Sequence, residues 1–426
     1  MKRIQIDQKW FIAIMGTLTH LSLGTVYAWS FFQIPITKLS AWSNTEVAWT
    51  FSISIFMLGL SAAWGGTKID KYGPRKLAII GSVFYALGYI ISSYALSANV
   101  LWLLYLAFGI LGGTGLGLVY VTPVATVSKW FTKNQGLATG MVVMGFGLGA
   151  LVMSKFLAPL FLHLSNESLS KTFLYIGLTL IVVLPFCASF MKLPPKKEEE
   201  AKTNQALVSE TISPFKFIFS KSFIIIWLIF MINVVAGMIF ISFQSPLLQD
   251  LLKLRMPSTT DFGDLEVINL LNAAGATLIA VSAIFNGLGR FFWGTISDKI
   301  GRISTFRILL ALQALIFIAL IFVVHPVWFF VFVCIVLLCY GGGFGVIPSL
   351  INDSYGSKLM PTLYGAVLTA WGVGGIIGPQ IVAFMKDNYP QTAGLYAFAI
   401  GSVLLFIGLG LSFLYKAERG KGKGKS

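Results

Sequence analysis

The chain is poor in the groups that enzymes use. Its 426 residues hold 16 Asp and Glu, three His and three Cys, and charged residues make up only 11%. Cys187, Cys334 and Cys339 all fall inside apolar runs, so the odd count offers no pair for a disulfide framework. His20, His163 and His325 lie far apart without ligand-like spacing, which leaves a metal centre without donors. No set of nucleophile, acid and base stands out either, so no enzyme activity and no cofactor is expected.

What is abundant is hydrocarbon. Hydrophobic residues make up 56% of the chain, and the mean hydropathy is +0.82, a composition suited to a bilayer rather than to water. Crossing about 30 Å of hydrocarbon takes roughly 20 apolar residues. Twelve such runs are expected, at 10–35, 47–66, 77–97, 100–127, 136–161, 171–191, 221–248, 270–296, 305–324, 327–350, 362–385 and 390–415. The first is too long for a signal-peptide core and is followed at once by the next, so it reads as a retained span. No Asp or Glu occurs in any of the twelve.

A formal net charge of +15 would point a soluble protein toward nucleic acid. Here its distribution says otherwise. With the N-terminus inside, 24 Lys and Arg fall in cytoplasmic segments and five, Lys38, Lys171, Lys253, Arg255 and Lys386, on the other side. That asymmetry is the positive-inside rule, and it predicts a multi-pass protein of the cell (inner) membrane with both termini cytoplasmic. The basic tail is then a topology signal, the lipid bilayer is the partner, and no nucleic acid is expected.

The chain also repeats itself. A charged, hydrophilic stretch at 193–220 separates six runs from six, dividing the chain into halves 1–192 and 221–426. The loop after the second run contains Gly66, Asp70, Lys71 and Gly73, and the loop after the eighth contains Gly294, Asp298, Lys299 and Gly301, each pair 228 residues apart; Arg75 and Arg302 follow the two copies. Gly136 and Gly145 are echoed by Gly365 and Gly374 at an offset of 229. An aspartate at a helix end beside arginine suits a gate that holds one conformation and breaks in another, so Asp70, Arg75, Asp298 and Arg302 are gating candidates. Gly112, Gly113, Gly115 and Gly117, with Gly145, Gly147 and Gly149, lie inside spans and suit close helix packing, not a phosphate cradle.

An ionisable side chain inside a bilayer is a site hypothesis by default, because burying its charge costs at least roughly 2.5–3.5 kcal/mol. Lys155 lies toward the outer end of its run, where its stem reaches the surface. Arg290 has no such escape. It precedes Asp298 by eight residues, about 12 Å at 1.5 Å per residue, and an arginine does not shed its proton. With no carboxylate in any span, a mobile anion is its natural partner, held by the guanidinium fork. The residue 228 positions earlier is Ala62, so the arginine breaks the repeat, as a substrate residue is free to do. Tyr27, Tyr120, Tyr340, Phe344 and Asn286, one turn before the arginine, complete the candidate pocket, and His20, Asp264 and Glu266 are candidates for coupling to protons.

The paired Gly-x-x-x-Asp-Lys-x-Gly loops resemble the signature of the major facilitator superfamily: an all-α membrane protein of twelve transmembrane helices in two pseudo-symmetric six-helix bundles. Residues 24–30 (GTVYAWS), 129–140 (KWFTKNQGLATG) and 286–302 (NGLGRFFWGTISDKIGR) resemble the oxalate/formate antiporter family, a relative of the monocarboxylate transporters. This resemblance implies a monomeric secondary transporter of a small organic anion, with Arg290 at the anion-binding position, coupled to protons or a counter-anion. Oxalate exchangers carry a lysine on helix eleven where this sequence has Trp371, and proton-coupled monocarboxylate carriers carry an aspartate where it has Asn286. One fixed cation matches a monocarboxylate such as pyruvate, lactate or formate better than a dianion. The alternatives are a dicarboxylate exchanger and a membrane sensor that binds the metabolite without moving it.

Overall fold

The computed structural model describes the backbone of residues 7–131, 135–194, 215–356 and 359–416. Twelve helices long and apolar enough to cross a membrane account for most of it: α1 (Gln8–Ser40), α2 (Asn44–Ile69), α3 (Pro74–Ser97), α4 (Leu101–Trp130), α5 (Ala138–Leu164), α6 (Leu169–Ala188), α7 (Lys221–Lys253), α8 (Leu265–Ile300), α9 (Arg302–Ile321), α10 (Pro326–Tyr355), α11 (Thr362–Asn388) and α12 (Ala393–Phe413). The described residues contain no strand. In hydrocarbon a helix satisfies its own backbone, so long apolar runs have little else to become.

The number of spans matches the sequence reading, but the helices run past the apolar stretches. The eighth was expected at 270–296 and extends from Leu265 to Ile300, because an apolar run marks hydrocarbon depth while a helix continues into the polar interface until a cap or glycine ends it. Asp264 is that cap, accepting a hydrogen bond from the Glu266 amide at 3.0 Å. Gly301, with φ +90°, ends the helix at its other end. Of the expected linker, residues 195–214 lie outside the described set, and a single turn at Phe215–Ile218 leads into α7.

Each half is a bundle, and they meet along α2 with α11 and α5 with α8. These seams run through glycine. A Cβ on Gly147 of α5 would come 2.7 Å from the Cα of Gly287 on α8, and one on Gly59 of α2 would come 2.9 Å from the carbonyl oxygen of Leu368 on α11. Lipid tails are as apolar as leucine, so burial does not drive helices together in a bilayer; close backbone approach does. The glycines expected to pack helices do so: Gly115 of α4 lies against Gly81 on α3, and Gly149 against Gly24.

The loops between α2 and α3 and between α8 and α9 define a basic face. At the far face, the N-terminus of α2 is capped from both halves. Ser43 Oγ accepts from the Glu46 amide at 3.1 Å. The next two amides donate to Asp387 at the end of α11, Asn44 to Oδ1 at 2.9 Å and Thr45 to Oδ2 at 2.8 Å, with the Asn44 side chain adding a third bond at 3.0 Å. Lys155 Nζ of α5 reaches Thr277 Oγ1 of α8 at 2.7 Å, so it joins the halves instead of only seeking the surface. These bonds tie the two halves together at the far face. Asp387→Ala removes the acceptor of both amides and is expected to weaken the contact between the halves at this face by about 1 kcal/mol, near fivefold in the equilibrium. The check is the labelling rate of a cysteine placed at Ser52, which is buried beside Gln380 of α11; an unchanged rate refutes the role.

Candidate functional site

Arg290 lies where the two halves meet, and glycine sets its position. A Cβ on Gly341 of α10 would come within 2.9 Å of the Asn286 side-chain oxygen, and one on Gly345 within 2.9 Å of the Arg290 carbonyl carbon, so α8 rests on an i, i+4 glycine stripe. The arginine side chain is then directed between the halves, and only 2% of the residue is exposed.

Aromatic rings enclose it. The guanidinium carbon lies 4.7 Å from the centroid of Phe344 on α10 and 5.8 Å from that of Phe146 on α5. Trp371 of α11 packs edge-on to Phe344 at 4.8 Å, to Tyr120 of α4 at 5.0 Å and to Phe146 at 5.5 Å. Tyr27 of α1 meets Phe146 at 4.9 Å, and its hydroxyl shares a 2.5 Å hydrogen bond with that of Tyr340 across the halves. Gly24 permits this, because α1 tightens into a 3₁₀ turn at Gly24–Ala28 and its backbone there lies against the Phe146 carbonyl. None of these rings is more than 2% exposed. The faces of Phe344 and Phe146 offset part of the positive charge.

They do not neutralise it. None of the three guanidinium nitrogens makes a hydrogen bond of ordinary length and angle, although the Tyr120 hydroxyl lies nearby, and no ion pair among the described residues includes Arg290. The hydroxyls of Tyr120 and Tyr364 and the indole nitrogen of Trp371 are likewise buried without a hydrogen bond of ordinary length and angle, although the Tyr120 hydroxyl lies close to Arg290 and to Tyr364. Tyr27, Tyr120, Tyr340 and Tyr364 all feel the charge of the arginine. The site therefore holds many donors and no acid. Unmet charged donors in a dry interior cost several kcal/mol, and an anion bound among them recovers that cost.

Of the residues expected from sequence, Tyr27, Tyr120, Tyr340, Phe344 and Trp371 come together around Arg290. His20 joins them from α1, with its ring 4.7 Å from Tyr120 and its Nε2 donating to the Tyr120 carbonyl at 2.9 Å. Asn286 is buried on the adjoining turn, with its side-chain oxygen against Gly341. Asp264 and Glu266 do not reach the site. They are exposed at the far-face end of α8, and Glu266 is 24 residues from Arg290, about 36 Å along a helix.

The gating candidates divide. Arg302 pairs with Asp298 at 2.5 Å and with Asp353 of α10 at 3.1 Å, so it braces the C-terminal bundle internally and spans no gap between halves. Arg75 is exposed, and the side chain of Asp70 lies outside the described residues. Phe146 and Tyr364 escaped the sequence reading. Phe146 is one of 36 phenylalanines, and the only local hint is its place between Gly145 and Gly147, where α5 comes nearest its neighbours.

The Major Facilitator Superfamily profile matches residues 11–379 and 259–425. The oxalate:formate antiporter of Oxalobacter formigenes is 26% identical over 406 residues, covering 94% of this chain and 90% of its own length. The apicoplast pyruvate carrier 1 of Toxoplasma gondii is 22% identical over 485 residues, covering 89% and 83%. The inward-facing crystal structure of a bacterial homologue of the human lysosomal transporter Spinster superposes with a TM-score of 0.67 at 16% identity, covering 96% of this chain and 97% of that one, which establishes a common fold. Twelve spans in two bundles joined by glycine seams, together with the profile match along the chain, make this protein a member of the Major Facilitator Superfamily.

Proposed function

We propose that the chain is a secondary transporter of a small monocarboxylate, of the size of formate, lactate or pyruvate, working by alternating access about Arg290. The halves 1–192 and 221–426 rock against one another, and the basic face is cytoplasmic. One observation carries the reading: a permanent cation, 2% exposed, with no carboxylate paired to it among the described residues and no hydrogen bond of ordinary geometry at its three nitrogens. A carboxylate takes two of its N–H groups at once. The rings around the guanidinium pack against one another at centroid distances of 4.7–6.2 Å, which favours a small ligand over a bulky one, and Tyr120, Tyr364 and Trp371 offer further donors.

The Oxalobacter relative favours a second reading, exchange of a dicarboxylate. Against it stands Trp371, which leaves the ring with one cation. Uptake of labelled formate, lactate, pyruvate and oxalate into proteoliposomes, with and without an opposing anion inside and with and without a pH gradient, separates the readings. Monocarboxylate flux well above that of oxalate is expected. Flux for oxalate alone refutes the monocarboxylate assignment, and binding without flux makes the protein a sensor.

A further inference from the structure

A cavity of about 640 Å³ opens on the N-terminal half, away from Arg290. It exists because α2 and α3, consecutive in sequence, each pack closely on α4 but scarcely on one another. The gap between them is a groove with α4 as its floor, at Thr114 and Leu118, and with Trp64 of α2 and Phe84 of α3 on its walls. Its lining is almost wholly apolar except at the basic-face end, where Tyr72 and Lys76 close it. Trp64 is 51% exposed and Tyr72 41%. An amphipathic ring at such a depth suits the boundary between acyl chains and headgroups.

The charge at that mouth is one-sided. Lys71, Arg75 and Lys76 are exposed there, with Lys71 Nζ 5.3 Å from the Tyr72 ring centroid. The same short loop holds Lys68 and one acid, Asp70. Among the described residues no ion pair engages Arg75 or Lys76. The other half differs at each of these points. Its positions 228 residues on from Trp64, Tyr72 and Lys76 are Phe292, Ile300 and Ser304, and its arginine is occupied by Asp298 and Asp353. A scaffold feature would repeat; this one does not.

We propose that the groove is a binding site for an anionic glycerophospholipid of the basic-face leaflet. One acyl chain lies between α2 and α3 on α4, and the phosphate meets Lys76 and Arg75. Four cations in one loop against a membrane surface attract anionic lipid, and a groove open to hydrocarbon gives the chain a fixed place. Because α2 also forms a seam with α11, a lipid that braces α2 stabilises the packing of the halves. The proposal does not depend on what the central site carries.

Thermal unfolding of the full-length protein in a neutral detergent tests it, with phosphatidylglycerol or phosphatidylcholine of the same acyl chains added. Phosphatidylglycerol is expected to raise the midpoint by several degrees more than phosphatidylcholine. Lys76→Glu and the milder Lys76→Gln should remove that difference, Lys76→Arg should keep it, and Ile80→Trp, on the exposed wall of the groove, should shrink the response to both lipids. Inorganic phosphate, which brings charge without a chain, should give no shift. Equal shifts for the two lipids in the wild type, a preference that survives Lys76→Glu, or a phosphate shift matching that of phosphatidylglycerol would each overturn the assignment.

Discussion

Arg290→Ala is expected to lower carboxylate uptake at least 100-fold while the protein still inserts and elutes as a single folded species. Two charge-assisted hydrogen bonds at about 1.5–3 kcal/mol each account for a loss of that size. The same substitution removes an unpaired buried cation, so the unfolding temperature of the empty protein should hold steady or rise. Loss of transport without loss of stability is what separates a binding residue from a structural one. Arg290→Lys keeps the charge but not the planar fork, and it should recover only a small part of the flux, chiefly at high substrate concentration. Uptake by Arg290→Ala within twofold of wild type would remove the arginine from the transport reaction.

The second large effect concerns Trp371. This indole packs against Phe344, Tyr120 and Phe146, at the centre of the ring around the arginine. Replacing it with lysine puts a second cation in a cavity that already holds one, and the ligand then needs two negative charges to balance them. Trp371→Lys is therefore expected to lower monocarboxylate uptake about tenfold or more and to confer uptake of oxalate, with Trp371→Ala as the control for loss of the ring alone. Competition between labelled oxalate and unlabelled monocarboxylate gives the ratio directly. A folded Trp371→Lys protein with unchanged preference would show that charge count at this site does not set specificity.

Arg290 and Trp371 are both legible in the amino-acid sequence. The arginine stands out because hydrocarbon makes a lone charge conspicuous: no span offers it a carboxylate. The tyrosines, Phe344 and Trp371 are reachable because they lie near the same depth on helices that the superfamily resemblance places around a centre. Phe146 is not reachable in that way, since its role comes from a backbone contact between Gly24 and its own carbonyl. Of the gating candidates, the pair in the second loop does form. Asp298 and Arg302 pair with each other and with Asp353, inside one half. The bonds that cross between halves at the far face use Asp387 and Lys155. Asp387 finds its partners 342 and 343 residues away, a separation that no local pattern encodes.

The amino-acid sequence by itself determined that the chain spans a membrane, how many times, and which residue bears an unanswered charge. The physical reason is that burying polar groups in oil is expensive, so each exception shows in one dimension. Tertiary structure decided which aromatic rings surround that charge, which carboxylate caps which helix, and where two consecutive helices part to leave a groove. Those outcomes depend on how closely two backbones approach, and glycine permits that approach without dictating which neighbour will take it.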